Sequence, residues 1–347
     1  MRLWQKVSVW WQRIGRLQRS LPVLPMLFVI ALVLTLTTAA CSQTATTTSA
    51  DSTSTASAAP VVLRIGRQKF DPLTLVRAKG KLEERLKPLG ITAVEWIEFQ
   101  SGPPMLEALN ADSIDIARTG DAPPVIAQAA GVPLVYVGGS APKDKSSAVL
   151  VKQDSPIQAI ADLRGKKVAF AKSSSANYLA VKALEAGGLK WEDIKPVYLS
   201  PSDARSAFEQ GNVDAWVIWD PFYAAAQKQA GARVVRDSAG LVANRDFYLA
   251  TRKFADKYPD VIKAIGEEVQ AVAKWADANP SEVAALLSPL LKIDQPILET
   301  VNQRRNYGFE AITPEMIAEQ QAIADTFHTL KLIPKPIDVK NAIWKAV

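Results

Sequence analysis

The chain has 347 residues, of which 48% are hydrophobic and 22% charged, with 41 basic against 35 acidic side chains. That length allows for about two domains, and the apolar fraction is far above that of a chain that stays disordered. A single cysteine and a single histidine exclude a disulfide within one molecule and leave no Cys/His set for structural zinc or for a thiol or triad mechanism.

Five basic residues (Arg2, Lys6, Arg13, Arg16, Arg19) and no acid precede the apolar run LPVLPMLFVIALVLTL at Leu21 to Leu36. A charged segment followed by an apolar one reads as an export signal covering residues 1–40; an uncleaved signal anchor is the other reading of the same pattern. The run closes on Thr38-Ala39-Ala40-Cys41, which resembles the lipobox of bacterial lipoproteins and implies an acylated Cys41 that holds the protein to a membrane through its lipid alone. Residues 41–60, CSQTATTTSADSTSTASAAP, are small and polar, and a flexible tether is expected. Removal of the leader takes five basic residues and no acidic ones, leaving 36 against 35. The basic excess therefore points to no nucleic-acid partner.

From residue 61 onward, short β-rich runs alternate with helical patterns, which predicts an α/β architecture with largely parallel sheets. The first run, VVLRIG at Val61–Gly66, leads through Gln68 to Asp71-Pro72, an N-cap followed by a helix-starting proline. Gln68 then either offers its amide to a cleft or sits in a solvated loop. The segment SIDIARTGDAPP at Ser113–Pro124 holds a second such turn, with Arg118, Thr119 and Gly120 ending a strand and Asp121 as the cap. LVYVGG (Leu134–Gly139) and KVAFA (Lys167–Ala171) follow, the latter entering Lys172-Ser173-Ser174-Ser175-Ala176-Asn177 ahead of a helix. Three hydroxyls and free N–H groups at a helix start suit an anion, and equally suit ordinary capping.

At Asn212–Tyr223, NVDAWVIWDPFY echoes the earlier segment at an offset of 99 or 100 positions, setting Asp115 against Asp214, Asp121 against Asp220 and Gly131 against Gly231. That offset is too long for a solenoid unit of about 20–50 residues. It predicts two similar α/β lobes, each bringing one turn to a cleft at the carboxyl ends of its strands. Asp121 and Asp220 read as caps that orient these turns. Trp216 is expected in the core, whereas Trp219, beside the turn, is a candidate apolar wall. His328, in ADTFHTLKL, reads as a half-buried helix residue.

The segments GRQKF, SGPPMLEALN, RTGDAPPVIAQAAGVPLVYVGG, DLRGKKVAFAKSSSANYL, PSDARSAFEQGNVDAWVIWDP and NRDFYLATRKFADKYP occur in that order within residues 61–347. Together they resemble the aliphatic sulfonate-binding component of ABC importers. The resemblance implies a type II periplasmic-binding fold with lobe one at 61–145 plus 249–347 and lobe two at 146–248. It also implies a monomer in the periplasm, no cofactor and no catalysis, with a small organosulfonate as ligand and a membrane permease and its ATPase as partners. Carried over position by position, the ligand-facing residues are Gln68, Gly102, Thr119, Gly120, Asp121, Ser173, Ser174, Ser175, Asn177, Trp219 and Asp220. A sulfonate has three acceptor oxygens and no proton near neutral pH, so it calls only for donors.

Two positions depart from the family pattern: Arg67, where members have an aromatic residue, and Arg118, where serine is common. Both add positive charge near the expected anion, which would favour a smaller or doubly charged ligand. Arg118 either grips two sulfonate oxygens or pairs with Asp121 or another acid. Relatives with the same fold take up nitrate, taurine or thiamine-pathway precursors, and one synthesises a pyrimidine. The repeated turns alone do not separate the binders.

Overall fold

A computed structural model describes residues 61–345; the expected signal peptide, Cys41 and the tether lie outside the described residues. Strands β1 (Val61–Gln68), β2 (Ile91–Phe99), β3 (Ile116–Gly120), β4 (Leu134–Gly139), β5 (Ser147–Val151), β6 (Lys167–Phe170), β7 (Lys195–Tyr198), β8 (Ala215–Trp219), β9 (Arg233–Asp237) and β10 (Asp246–Thr251) form two sheets. Their orders are β2-β1-β3-β10-β4 and β7-β6-β8-β5-β9. In the first, β1 runs parallel to β2 and β3, while β10 runs antiparallel to β3 and β4. The second copies this plan, with β6 parallel to β7 and β8, and β5 antiparallel to β8 and β9. Two lobes of one design thus account for the sequence echo.

The echo also has a local cause. Asp115, just before β3, accepts from the Arg64 amide of β1 at 2.8 Å, and Asp214, just before β8, accepts from the Lys167 amide of β6 at 2.7 Å. Each aspartate ties an incoming strand to its parallel neighbour, which fixes register. Gly131 and Gly231, which follow the repeated helices Ala122–Ala129 and Phe222–Gln229, have φ of 88° and 58°. Both stand in the left-handed region that a glycine adopts without steric penalty.

Alternation along each strand divides the cores. In β10, Tyr248 and Ala250 face one apolar layer and Phe247 and Leu249 the other, as the period of two requires. In lobe two, Val149 and Val217 face one layer while Leu150 and Trp216 face the other. Trp216 is fully buried against Phe208, with ring centroids 5.8 Å apart, in the core as expected. His328 lies instead on the exposed face of the helix Pro314–Thr329.

The chain crosses between the sheets twice, after β4 and after β9. The crossings are bonded to each other: the Lys143 amide donates to the Ala243 carbonyl at 3.1 Å, and Asn244 Nδ2 donates to Ser146 Oγ at 3.0 Å and Ser147 Oγ at 2.8 Å. The return to the first sheet is complete at Asp246, which pairs with Gly120. Sheet pairing therefore moves the expected lobe boundary at 248/249 back to the segment between Asp237 and Asp246. Among the described residues, no helix is long and apolar enough to cross a membrane.

Candidate functional site

The carboxyl ends of β1, β3, β6 and β8 point into one cavity between the lobes. Its wall includes Gln68, Gly102, Arg118, Gly120, Ser174, Ser175, Trp219 and Asp220 from the expected set, and also Lys69, Gln100, Lys143, Asn244, Asp246 and Arg305. Thr119, Asp121, Ser173 and Asn177 do not line it. They shape the turns behind it.

On the lobe-one side, Asp121 Oδ1 accepts from the Ala122 amide at 2.8 Å, and its carbonyl accepts from Gln320 Nε2 at 2.8 Å. Burial raises the Asp121 carboxyl above the usual carboxylate range, against a hydrogen bond from Ser175. Thr119 donates to the Gly120 carbonyl at 2.8 Å. Gly102 opens the helix Gly102–Asn110, and a Cβ there would lie 2.6 Å from Pro123 Cγ and 3.2 Å from Thr119 Cβ. Only a residue without a side chain lets this helix approach the second turn so closely. A Cβ on Gly120 would lie 2.3 Å from Ser175 Oγ, so at this point the lobes touch.

On the lobe-two side, Ser174 caps the helix Ser175–Ala186. Its hydroxyl donates to the Ala171 carbonyl at 2.7 Å and accepts from the Asn177 amide at 3.4 Å. The Ser173 amide donates to Asn177 Oδ1 at 3.1 Å, with Ser173 at φ 63°. This narrows the expectation of three hydroxyls free for a ligand: the Ser174 hydroxyl serves the turn's own backbone, and the Ser175 hydroxyl bonds the Asp121 carboxylate. The donors left over are the amides of Ser175 and Ala176, which have no acceptor inside the helix. Asn177 Nδ2 is buried without a partner.

Trp219 borders the cavity edge-on to Phe222, with ring centroids 6.5 Å apart. Asp220 Oδ1 accepts from the Ala224 amide at 3.0 Å and faces Arg304 at 3.6 Å. Burial pushes the Asp220 carboxyl up to about 7, opposed chiefly by Arg304.

The floor of the cavity is a charge cluster. Arg118 on β3, Lys143 on the first crossing and Arg305 beyond the helix Gln295–Asn302 all pair with Asp246 at the head of β10. Lys143 Nζ stands 3.1 Å from Oδ1, Arg305 stands 2.9 Å from Oδ2, and Arg118 shares that Oδ2. Asp246 has no exposed surface. Burial first, and the Arg305 charge second, lower Arg118 to about 9, which leaves it charged at neutral pH. Burial and then the Arg118 and Arg305 charges hold Lys143 well below the ordinary lysine value. The acid that meets Arg118 is thus Asp246 rather than Asp121.

Arg67 lies on the other face of β1 from Gln68, pairs with Glu98 of β2 at 2.8 Å, and does not line the cavity. The expectation of added charge at Arg67 fails for that reason. Sequence reasoning missed Lys143, Asp246 and Arg305. A signal existed: an aspartate opening the otherwise apolar strand DFYLA must be buried with partners.

The model of the NMT1/THI5-like family matches residues 93–283. A Bacillus subtilis (strain 168) relative named for binding aliphatic sulfonates is 35% identical over 283 residues, 81% of this chain and 85% of that one. The crystal structure of the periplasmic aliphatic sulphonate binding protein SsuA from Escherichia coli aligns with a TM-score of 0.75 at 42% identity, covering 83% of this chain and 93% of that one. The alkanesulfonate-binding protein SsuA from Xanthomonas axonopodis pv. citri, bound to MOPS, aligns with a TM-score of 0.79 at 36% identity, covering 83% and 99%. The chain belongs to the NMT1/THI5-like family, alongside these sulfonate-binding proteins.

Proposed function

We propose that this protein is the periplasmic solute-binding component of an ABC importer, that it captures an aliphatic sulfonate between its lobes, and that it hands the ligand to a permease driven by an ATPase. The observation that carries this reading is the cluster of Arg118, Lys143 and Arg305 around a single carboxylate on the cavity floor. A sulfonate offers acceptors only, and such a floor presents donors with positive charge. Trp219 supplies apolar surface to the alkyl part, while Gln68 and the start of the helix Ser175–Ala186 supply neutral donors. Closure of the two lobes buries the anion, and the protein binds and releases without chemistry. We place Cys41 as the lipid attachment point and the protein as a monomer tethered to its membrane.

Thermal-shift measurement against alkanesulfonates, taurine, nitrate and sulfate tests the reading. A ligand at about one hundred times its Kd adds about 2.7 kcal/mol. Alkanesulfonates are expected to stabilise most. Stabilisation by nitrate with none by any sulfonate would refute the reading.

A further inference from the structure

Arg118, Lys143 and Arg305 come from distant parts of the chain, and all three pair with Asp246. The four side chains line the cavity and are each more than nine-tenths buried. Little water reaches them, so three positive charges against one negative leave an excess that solvent screens poorly. The other acid on the wall, Asp220, is opposed by Arg304 at 3.6 Å, and Lys69 lines the cavity as well, so neither reverses the sign. Asp71 and Asp121 lie off the wall and accept from the backbone amides of Gln68, Thr74 and Ala122; their charges offset part of the excess, Asp71 acting on Arg118 and Asp121 on Lys143. The Nε groups of Arg118 and Arg305 are buried with no partner. Each guanidinium therefore retains a donor after pairing with Asp246.

A ligand with one negative charge neutralises only part of this excess. We infer that the site selects dianions, namely short sulfonates that carry a second acidic group, carboxylate or sulfonate. The inference rests on the sulfonate reading above and adds the charge state of the ligand. One acidic group meets the Arg118–Lys143–Arg305 floor. The other lies toward the opposite wall, where Ser174 and Ser175 open a helix.

Titration calorimetry of the full chain at neutral pH, with ethanesulfonate, sulfoacetate and ethane-1,2-disulfonate, tests this on one two-carbon frame. The two dianions are expected to bind about 10- to 100-fold more tightly, the worth of one added hydrogen bond between charged groups. Lys143→Gln removes one cation and leaves Asp246 both arginines. It is expected to weaken binding of all three ligands, and of the two dianions by more, so that most of the preference for dianions is lost. Equal affinity for the three ligands in the wild type, or a preference undiminished in the variant, overturns the inference and leaves the sulfonate reading standing. Binding of none of the three overturns both. If the variant does not fold, the wild-type comparison alone decides.

Discussion

Asp246→Asn removes the one carboxylate that Arg118, Lys143 and Arg305 share, and it leaves three cations facing one another in a site with no exposed surface at its centre. Breaking a buried ionic cluster by deleting one partner costs about 3 to 5 kcal/mol. At about 2 to 3 °C per kcal/mol for a protein of this size, the ligand-free melting temperature should fall by about 6 to 15 °C. An anion in the cavity restores negative charge where it was lost. Saturating ethanesulfonate should therefore raise the melting temperature of the variant by more than it raises that of the wild type. Differential scanning calorimetry of both proteins, with and without ligand, reads all four values. An unchanged melting temperature in the ligand-free variant, or a smaller ligand-induced rise than in the wild type, would refute the assignment of Asp246 as the internal counter-charge.

Arg67→Ala should leave sulfonate affinity unchanged, since Arg67 is held by Glu98 away from the cavity; a clear loss of affinity in calorimetry would contradict that placement. Ser174→Ala should cost about 1 kcal/mol of stability as the loss of a helix cap with affinity retained, because its hydroxyl donates to Ala171; a folded variant that loses affinity without losing stability would return that hydroxyl to the ligand. Affinity for an anion should rise as pH falls from 8 toward 6. Burial raises Asp220 to about 7, so its protonation removes a negative charge from the wall and binding takes up protons; constant or falling affinity across that window would show the opposite. Cys41→Ser should abolish incorporation of labelled fatty acid, and unchanged labelling would remove Cys41 as the attachment point.

Two similar lobes were determined by sequence alone, because their signals are local and written twice. Asp115 and Asp214 each hold a neighbouring strand, Asp121 and Asp220 each accept a helix amide, and Gly131 and Gly231 each end a helix at positive φ. Capping, turn formation and strand alternation act over a few residues, so residue type and spacing carry them. The cavity floor was a different matter. Arg118 belongs to a repeated turn, but Lys143 and Arg305 lie in segments with no pattern of their own, and Asp246 opens a strand that pairs antiparallel with β3 and β4. Only that pairing, closed by the chain's second crossing, brings the carboxylate to the ends of β1 and β3. Likewise, Gln68 and Arg67 are adjacent in sequence and face opposite sides of one sheet. Ser174 looks like a ligand donor until the fold shows that the Ala171 carbonyl and the Asn177 amide take its hydroxyl. A charge or a hydroxyl acts on whatever lies within a few ångströms of it, and sheet register, not sequence separation, decides which groups come that close.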